Sequence, residues 1–236
     1  MKQLIPSPLR CSARLALRWL DDLKTGQLAQ FLNPSTKASD QFAPWIETMQ
    51  VIQATSYSEN KRHNLILASE QINHVVIQPG QIFSFWHLVG KPDRHRGYLP
   101  GRSLVNQQLQ AEYGGGLCQL SGLIYFLALK AGLQIVERYP HSVDIYTDET
   151  RFAPLGSDAT VVYGYKDLRF LNSLEQAICF HVIVQADAVI GQLCAERAIA
   201  EHPIEFRSQS VGQRIEVETL RKNESLGVCS YRLPNR

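Results

Sequence analysis

Apolar and polar positions change period along the chain. Leu15, Leu17, Trp19, Leu20, Leu23, Leu28 and Phe31 recur among charges over 12–31, which predicts an amphipathic helix broken near Gly26. The polar stretch 33–40 (NPSTKASD) predicts a loop and a boundary. Leu65, Ile66, Ala68, Ile72, Val75 and Val76 form a second helical stripe. The pattern predicts a helix capped by the Ser58 hydroxyl and stopped by Pro79–Gly80. Residues 82–109 mix short extended pieces and aromatics with turns at Gly90, Gly97 and Gly101. A third helix is expected over 117–131, with Gly132 at its C-cap. After Gly132 the segments LQIVERY, SVDIY, ATVVYGY, ICFHVIVQA, VIGQLCA and RIEVETL are rich in Val, Ile and Tyr and read as strands, with a hairpin around 223–227. The order predicts an α+β fold: N-terminal helices, a central helix opened by a glycine run, and a mainly antiparallel sheet. We divide it into an N-terminal helical extension (1–55), a core domain (56–200) and a C-terminal β extension of the same domain (201–236).

The junction GGGLCQLS (114–121) carries the candidate chemistry. On a wheel of about 100° per residue, Leu120, Leu123, Ile124, Leu127 and Ala131 share one side. Cys118 falls opposite them with Gly122, Tyr125 and Leu129, and Gly122 leaves room for a second element beside the sulfur. The unpaired N–H groups of a first helical turn favour a thiolate and could hold an oxyanion. Glycines allow close approach and positive φ, and Gln119 offers a further donor.

A thiol nucleophile needs a base and an orienting group. Pro140 biases Tyr139 to extended backbone, so His141 is expected to open a strand, on the face of Val143 and Ile145. Asp158 is expected at the start of the next strand, beside the imidazole. Read singly, each is also an ordinary structural residue: a helix-start cysteine, a core histidine, a turn aspartate. One triad accounts for all three.

Composition narrows the partners. Of 236 residues, 44% are hydrophobic and 19% charged, which excludes disorder. A net charge of +2 gives no case for nucleic acid or an anionic membrane. Arg14, Arg18, Asp21 and Asp22 interrupt the N-terminal region, so neither a signal peptide nor an integral membrane segment is expected and the location reads as cytoplasmic. The 5 cysteines lack any CxxC pair and the 7 histidines any metal-ligand spacing. No cofactor or metal is expected, and a Cys118–His141 metal site is the minor reading.

KRHNLILASEQIN, PGQIFSFWHLVG, RGYLPG, GGGLCQLSGLIY, AGLQIVERYPHS and DATVVYGYKDLRFLN, in this order over 56–193, resemble the VanW-like family, named for an accessory protein of a vancomycin-resistance cluster. The positions that match are Arg62, Asn64, Gly97, Tyr98, Gly115, Gly116, Cys118, Gln119, Arg138, His141, Asp158, Tyr163, Asp167 and Asn172. The chain departs at Gln81, Trp86, Gly122 and Leu123. The resemblance implies a link to the cell envelope and glycopeptide resistance. The order Cys on a helix, then His, then Asp, is also similar to transglutaminase-like and papain-like enzymes, by analogy of arrangement.

Two functions are weighed. The first is a cysteine-dependent amide or peptide-bond hydrolase or transferase acting on a cell-wall precursor or peptide. Cys118 is its nucleophile, His141 its base, Asp158 the orienter and Gln119 an oxyanion donor. Gly115, Gly116, Arg62, Asn64, Tyr98 and Arg138 are its expected substrate-binding residues. The second is a non-catalytic cell-envelope glycan or peptide-binding module, its cleft lined by Phe83, Phe85, Trp86, Tyr98 and Tyr113.

Overall fold

The computed structural model describes residues 7–105, 108–143 and 153–233. Its helices are α1 (Ser7–Lys24), α2 (Ser58–Ile72), α3 (Phe85–Val89) and α4 (Leu117–Lys130). Its strands are β1 (Ala43–Val51), β2 (Ile82–Ser84), β3 (Pro100–Val105), β4 (Gln108–Tyr113), β5 (Gln134–Glu137), β6 (Arg169–Leu171), β7 (Ile178–Val184), β8 (Ala188–Ala195), β9 (Ile204–Val211), β10 (Arg214–Arg221) and β11 (Glu224–Arg232). They form the sheets β1-β8-β7, β2-β6-β5 and β11-β10-β9 and the hairpin β3-β4. Every ladder is antiparallel. The fold is α+β, and among the described residues no helix is long and apolar enough to cross a membrane.

Helix α4 is the centre. Its Leu120, Leu123, Ile124 and Leu127 are fully buried, and Gly191 of β8 makes room for them. A Cβ at Gly191 would lie 2.9 Å from side-chain carbons of both Leu123 and Leu127. The opposite face is buried as well, with Tyr125 and Leu129 covered. There the segment 157–159 runs against Gly122, where a Cβ would meet Asp158 Cα and Ala159 N at 3.5 Å. Ser121 ties the two by donating to the Ala159 carbonyl at 2.6 Å. The C-terminal sheet closes this side through Phe206 and Val217, both packed on Gly156. A stack of Phe83 on Phe170 (centroids 4.6 Å apart), with Phe180 against both, joins the two sheets of the core.

Local signals placed several boundaries. Gly26 (φ 76°) separates α1 from a short 3-10 turn, Gln27–Gln30. Gly132 (φ 78°) follows α4, and Leu133 N–H returns to the Ala128 carbonyl. Lys222 and Asn223, both at positive φ, turn β10 into β11.

Other expectations are corrected. The stretch 1–55, read as helical, contains β1, which pairs with β8. Helix α2 stops at Ile72, seven residues before Pro79. Asn73 takes its side chain out to clamp Val182 of β7, accepting from its N–H at 2.7 Å and donating to its carbonyl at 3.0 Å. The Ser58 hydroxyl does not cap α2; it accepts from Thr55 N–H and donates to preceding carbonyls. ATVVYGY is not a strand: 159–161 carry no regular structure, and Tyr163, Gly164 and Tyr165 turn inside an isolated Val162–Lys166 bridge. Of SVDIY, only Ser142 and Val143 lie within the described residues, and Val143 pairs with Arg232 of β11. Strands β6 and β9 were not anticipated.

Candidate active site

The glycine run is shaped by backbone contact. Gly115 lies on Gly101 of β3 so closely that a Cβ would sit 2.1 Å from the Gly101 carbonyl carbon. Gly114 (φ 77°) and Gly116 (φ 101°) adopt the left-handed region that admits glycine. Asn64, buried on α2, fastens the run from below. Its side-chain N–H groups reach the carbonyls of Leu99 (2.9 Å) and Gly115 (3.0 Å), and its oxygen accepts from Leu99 N–H at 2.8 Å. The chain therefore enters α4 along one path, and Cys118 falls in the first turn.

Two extended segments face the cysteine. Thr160 N–H donates to the Tyr139 carbonyl at 2.7 Å, so 138–141 and 158–161 run side by side. His141 is in neither strand nor helix, and most of the strand expected after it lies outside the described residues, yet the expected neighbour relation to Asp158 holds. Asp158 Oδ2 accepts from the His141 backbone N–H (2.6 Å) and pairs with His141 Nδ1 (2.7 Å). That leaves Nε2 unengaged by Asp158, and the imidazole and the Cys118 thiol, which line the same cavity, each shift the other's proton affinity. The thiol also lies 3.8 Å from the Val161 carbonyl.

The electrostatics favour an ion pair. Burial disfavours a charged ring, but Asp158 and Cys118 outweigh it and hold His141 up at about 10. Burial likewise pushes the Cys118 thiol up, and the hydrogen bond and charge of His141 bring it below its ordinary value. Asp158 is held well below the carboxylate range: its burial is outweighed by His141, Arg138 and Tyr231.

Arg138 and Tyr231 stand behind the row. Arg138 Nη2 reaches Asp158 Oδ1 (3.0 Å) and the Gly156 carbonyl (2.8 Å), while Nε reaches the Asp158 carbonyl (2.7 Å). Its guanidinium lies 4.9 Å from the Tyr125 ring centre. Tyr231 of β11 donates to the same Oδ1 at 2.5 Å. Asp158 thus accepts four hydrogen bonds, two on each oxygen. Sequence reading missed Tyr231, which lies beyond the stretch that carries the family motifs; no local pattern marks it, and its burial comes from its place against Asp158.

A cavity of about 480 Å³ opens on Cys118, His141 and Asp158, with Trp86, Tyr113 and Tyr163 among its walls. Among the expected substrate-binding residues Gly116 lines it, whereas Gly115, Asn64, Tyr98, Arg62 and Arg138 do not. Gly115 and Asn64 shape the entry to α4. Tyr98 is buried. Arg62 is on the surface, paired with Glu59 at 2.5 Å, and Arg138 serves Asp158. Phe83 and Phe85 are core, fully covered. Gln119 is buried against the cavity and gives one donor to the Val51 carbonyl at 2.9 Å. Of the first-turn amides, Leu117 N–H and Gln119 N–H are taken by the carbonyls of Gly114 and Gly116.

Fold and site together define an α+β protein in which a helix-mouth cysteine, a histidine and a saturated aspartate line one cavity. The chain belongs to the VanW-like family, whose model matches residues 60–194, more than half of it. It is 33% identical over 162 residues to the Vancomycin B-type resistance protein VanW of Enterococcus faecalis, covering 66% of this chain and 59% of that one. It is 34% identical over 151 residues to the uncharacterized protein YoaR of Bacillus subtilis, covering 62% of this chain and 48% of that one. The chain therefore spans less than two thirds of either relative. No solved structure matches it significantly, so the likeness to transglutaminase-like and papain-like enzymes remains one of order alone.

Proposed function

We propose that this protein is a cysteine-dependent hydrolase or transferase of amide or peptide bonds, with Cys118 as nucleophile. The observation that carries the reading is the 2.7 Å contact of His141 Nδ1 with Asp158 Oδ2, on an imidazole that lines the same cavity as the Cys118 thiol. Cys118 Sγ, as thiolate, adds to the substrate carbonyl and forms a tetrahedral oxyanion. His141, as imidazolium, gives its Nε2 proton to the leaving amine as the C–N bond breaks, leaving a thioester. Neutral His141 then takes a proton from water, for hydrolysis, or from an acceptor amine, for transfer; the thioester opens and the thiol returns. Asp158 keeps the ring oriented and stabilises its cationic form. The Cys118 N–H and the Gln119 side chain are the oxyanion donors in this reading.

The substrate class we infer is a cell-wall precursor or peptide, supported by the resistance role in the name of the enterococcal relative. The reading keeps the thiol reduced and the location cytoplasmic. It is tested by incubating the protein with peptidoglycan precursors and stem peptides and following release or exchange by mass spectrometry. Turnover by the wild type, lost in folded Cys118→Ala and Cys118→Ser, is expected. Turnover that persists in folded Cys118→Ala overturns it.

A further inference from the structure

Helix α1 is docked with its apolar side outwards. Its inward stripe is Cys11, Leu15, Arg18 and Asp22, spaced at one helical face. Cys11 Sγ and Leu15 rest on Gly164. Arg18 pairs with Glu137 of β5 at 2.6 Å, and Asp22 with Arg169 of β6 at 2.6 Å, a pair that is almost wholly covered. Charge pairs therefore fix the rotation of this helix. The rest of its apolar content is forced to the other side: Leu9 is 60% exposed, Leu17 61%, Trp19 52%, Leu20 44% and Leu23 51%. With Ala13 and Ala16 these residues span an arc of about 160° centred nearly opposite the docked stripe. No surface need of a soluble helix explains five large apolar side chains on one outward face.

The charges choose between occupants. Arg10 and Arg14 lie along one border of the arc with Asp21 between them, and Lys24 ends it, so three cations face one carboxylate there. Arg14 is steadied over the Tyr165 ring, 5.8 Å from its centre. Two copies of α1 packed antiparallel on this face would bring Arg10 of each near Lys24 of the other, and packed parallel they would set like arginines side by side. Asp21 offsets only one of the three cations on each copy, so both arrangements bring net positive borders together. A leucine face with a tryptophan at its edge and a border of arginine and lysine suits the boundary of an anionic bilayer.

We propose that α1 is an interfacial helix that lays the protein on an anionic phospholipid surface without crossing it. The net charge of +2 does not reveal this, because the cations act locally. The helix rests on the turn that contains Gly164, and the neighbours Val162 and Tyr163 line the Cys118 cavity. Docking through α1 therefore holds that cavity close to the membrane surface, within reach of a substrate carried on a lipid. The docking itself does not depend on what Cys118 does.

The test is flotation of the full chain with vesicles of phosphatidylcholine alone and of phosphatidylcholine with about one third phosphatidylglycerol. The anionic vesicles should carry the wild type, at least about tenfold more than the neutral ones at low salt. Leu17→Glu combined with Leu20→Glu changes only outward side chains and should abolish flotation with the unfolding transition unchanged. Arg10→Gln with Arg14→Gln should reduce the preference for anionic vesicles. Absence of wild-type flotation, or flotation that the double glutamate variant retains, overturns the proposal. So does a concentration-dependent dimer, without flotation, that the glutamates dissociate, since a second copy would then own the face.

Discussion

Tyr231, on the last strand, donates its hydroxyl hydrogen to Asp158 Oδ1 at 2.5 Å, 73 residues away along the chain. The opposite oxygen of that carboxylate holds His141. The C-terminal sheet, outside the matched family region, is thus bonded to the row that ends at Cys118. Removing the hydroxyl in Tyr231→Phe takes one donor from a charged acceptor. Stability should fall by about 1.5–3 kcal/mol in urea unfolding, with Cys118 alkylation slowed less than about tenfold, because Arg138 still holds Oδ1. A loss of reactivity as large as that of Asp158→Asn would show Tyr231 to be indispensable instead.

Cys118 should react as a thiolate at lower pH than an ordinary thiol. His141 stays protonated up to about 10, and the Cys118 value is lowered. The ion pair therefore spans the interval between them. Iodoacetamide at pH 6 should modify Cys118 at least about tenfold faster than glutathione, and His141→Ala should move the rate profile up towards an ordinary thiol. Stopped alkylation followed by peptide mass mapping distinguishes Cys118 from the other four cysteines; a glutathione-like rate at Cys118 refutes the pair.

Asp158→Asn leaves Arg138 without its carboxylate and deprives the cationic ring of its counter-charge. A loss on the order of 3 kcal/mol at pH 7 is expected. The folded value of Asp158 lies below the unfolded one, so its contribution is present above about pH 4 and drains away as pH falls through the folded value. Wild type and variant should converge in stability at strongly acid pH. A constant gap from pH 7 down to 2 contradicts this.

Gly115→Ala drives a methyl into the Gly101 backbone. Neither partner is a flexible side-chain end, so the loop or β3 must shift. We expect at least about 2 kcal/mol of destabilisation and slower Cys118 alkylation, since the path into α4 changes. Gly191→Ala meets leucine methyls at 2.9 Å, which can rotate, and should cost less. Thermal unfolding of the two variants gives the comparison.

Legibility in the sequence followed range. Gly26 and Gly132 act within one turn of chain and were placed by local pattern; the last hairpin was anticipated around 223–227, but its turn falls at Lys222–Asn223, with 224–227 already in β11. The end of α2 was misplaced because Asn73 leaves the helix for Val182 of β7, a partner 109 residues away. Strand β1 was missed because its burial pattern depends on pairing with β8. Arg138 was assigned to substrate because its motif position says nothing of direction; the fold turns it to Asp158 and the Tyr125 ring.

The sequence by itself determined the family, the helix-mouth position of Cys118 and the order in which His141 and Asp158 follow it. Those features rest on residue identity and short-range backbone preference. Only the tertiary structure decided that the wheel face bearing Cys118 is covered rather than open, that Asp158 receives four donors from two distant parts of the chain, and that α1 turns its leucines outward. Each of these depends on which distant groups share a buried volume. There a carboxylate must collect donors, and a helix rotates to satisfy its ion pairs before its apolar side chains.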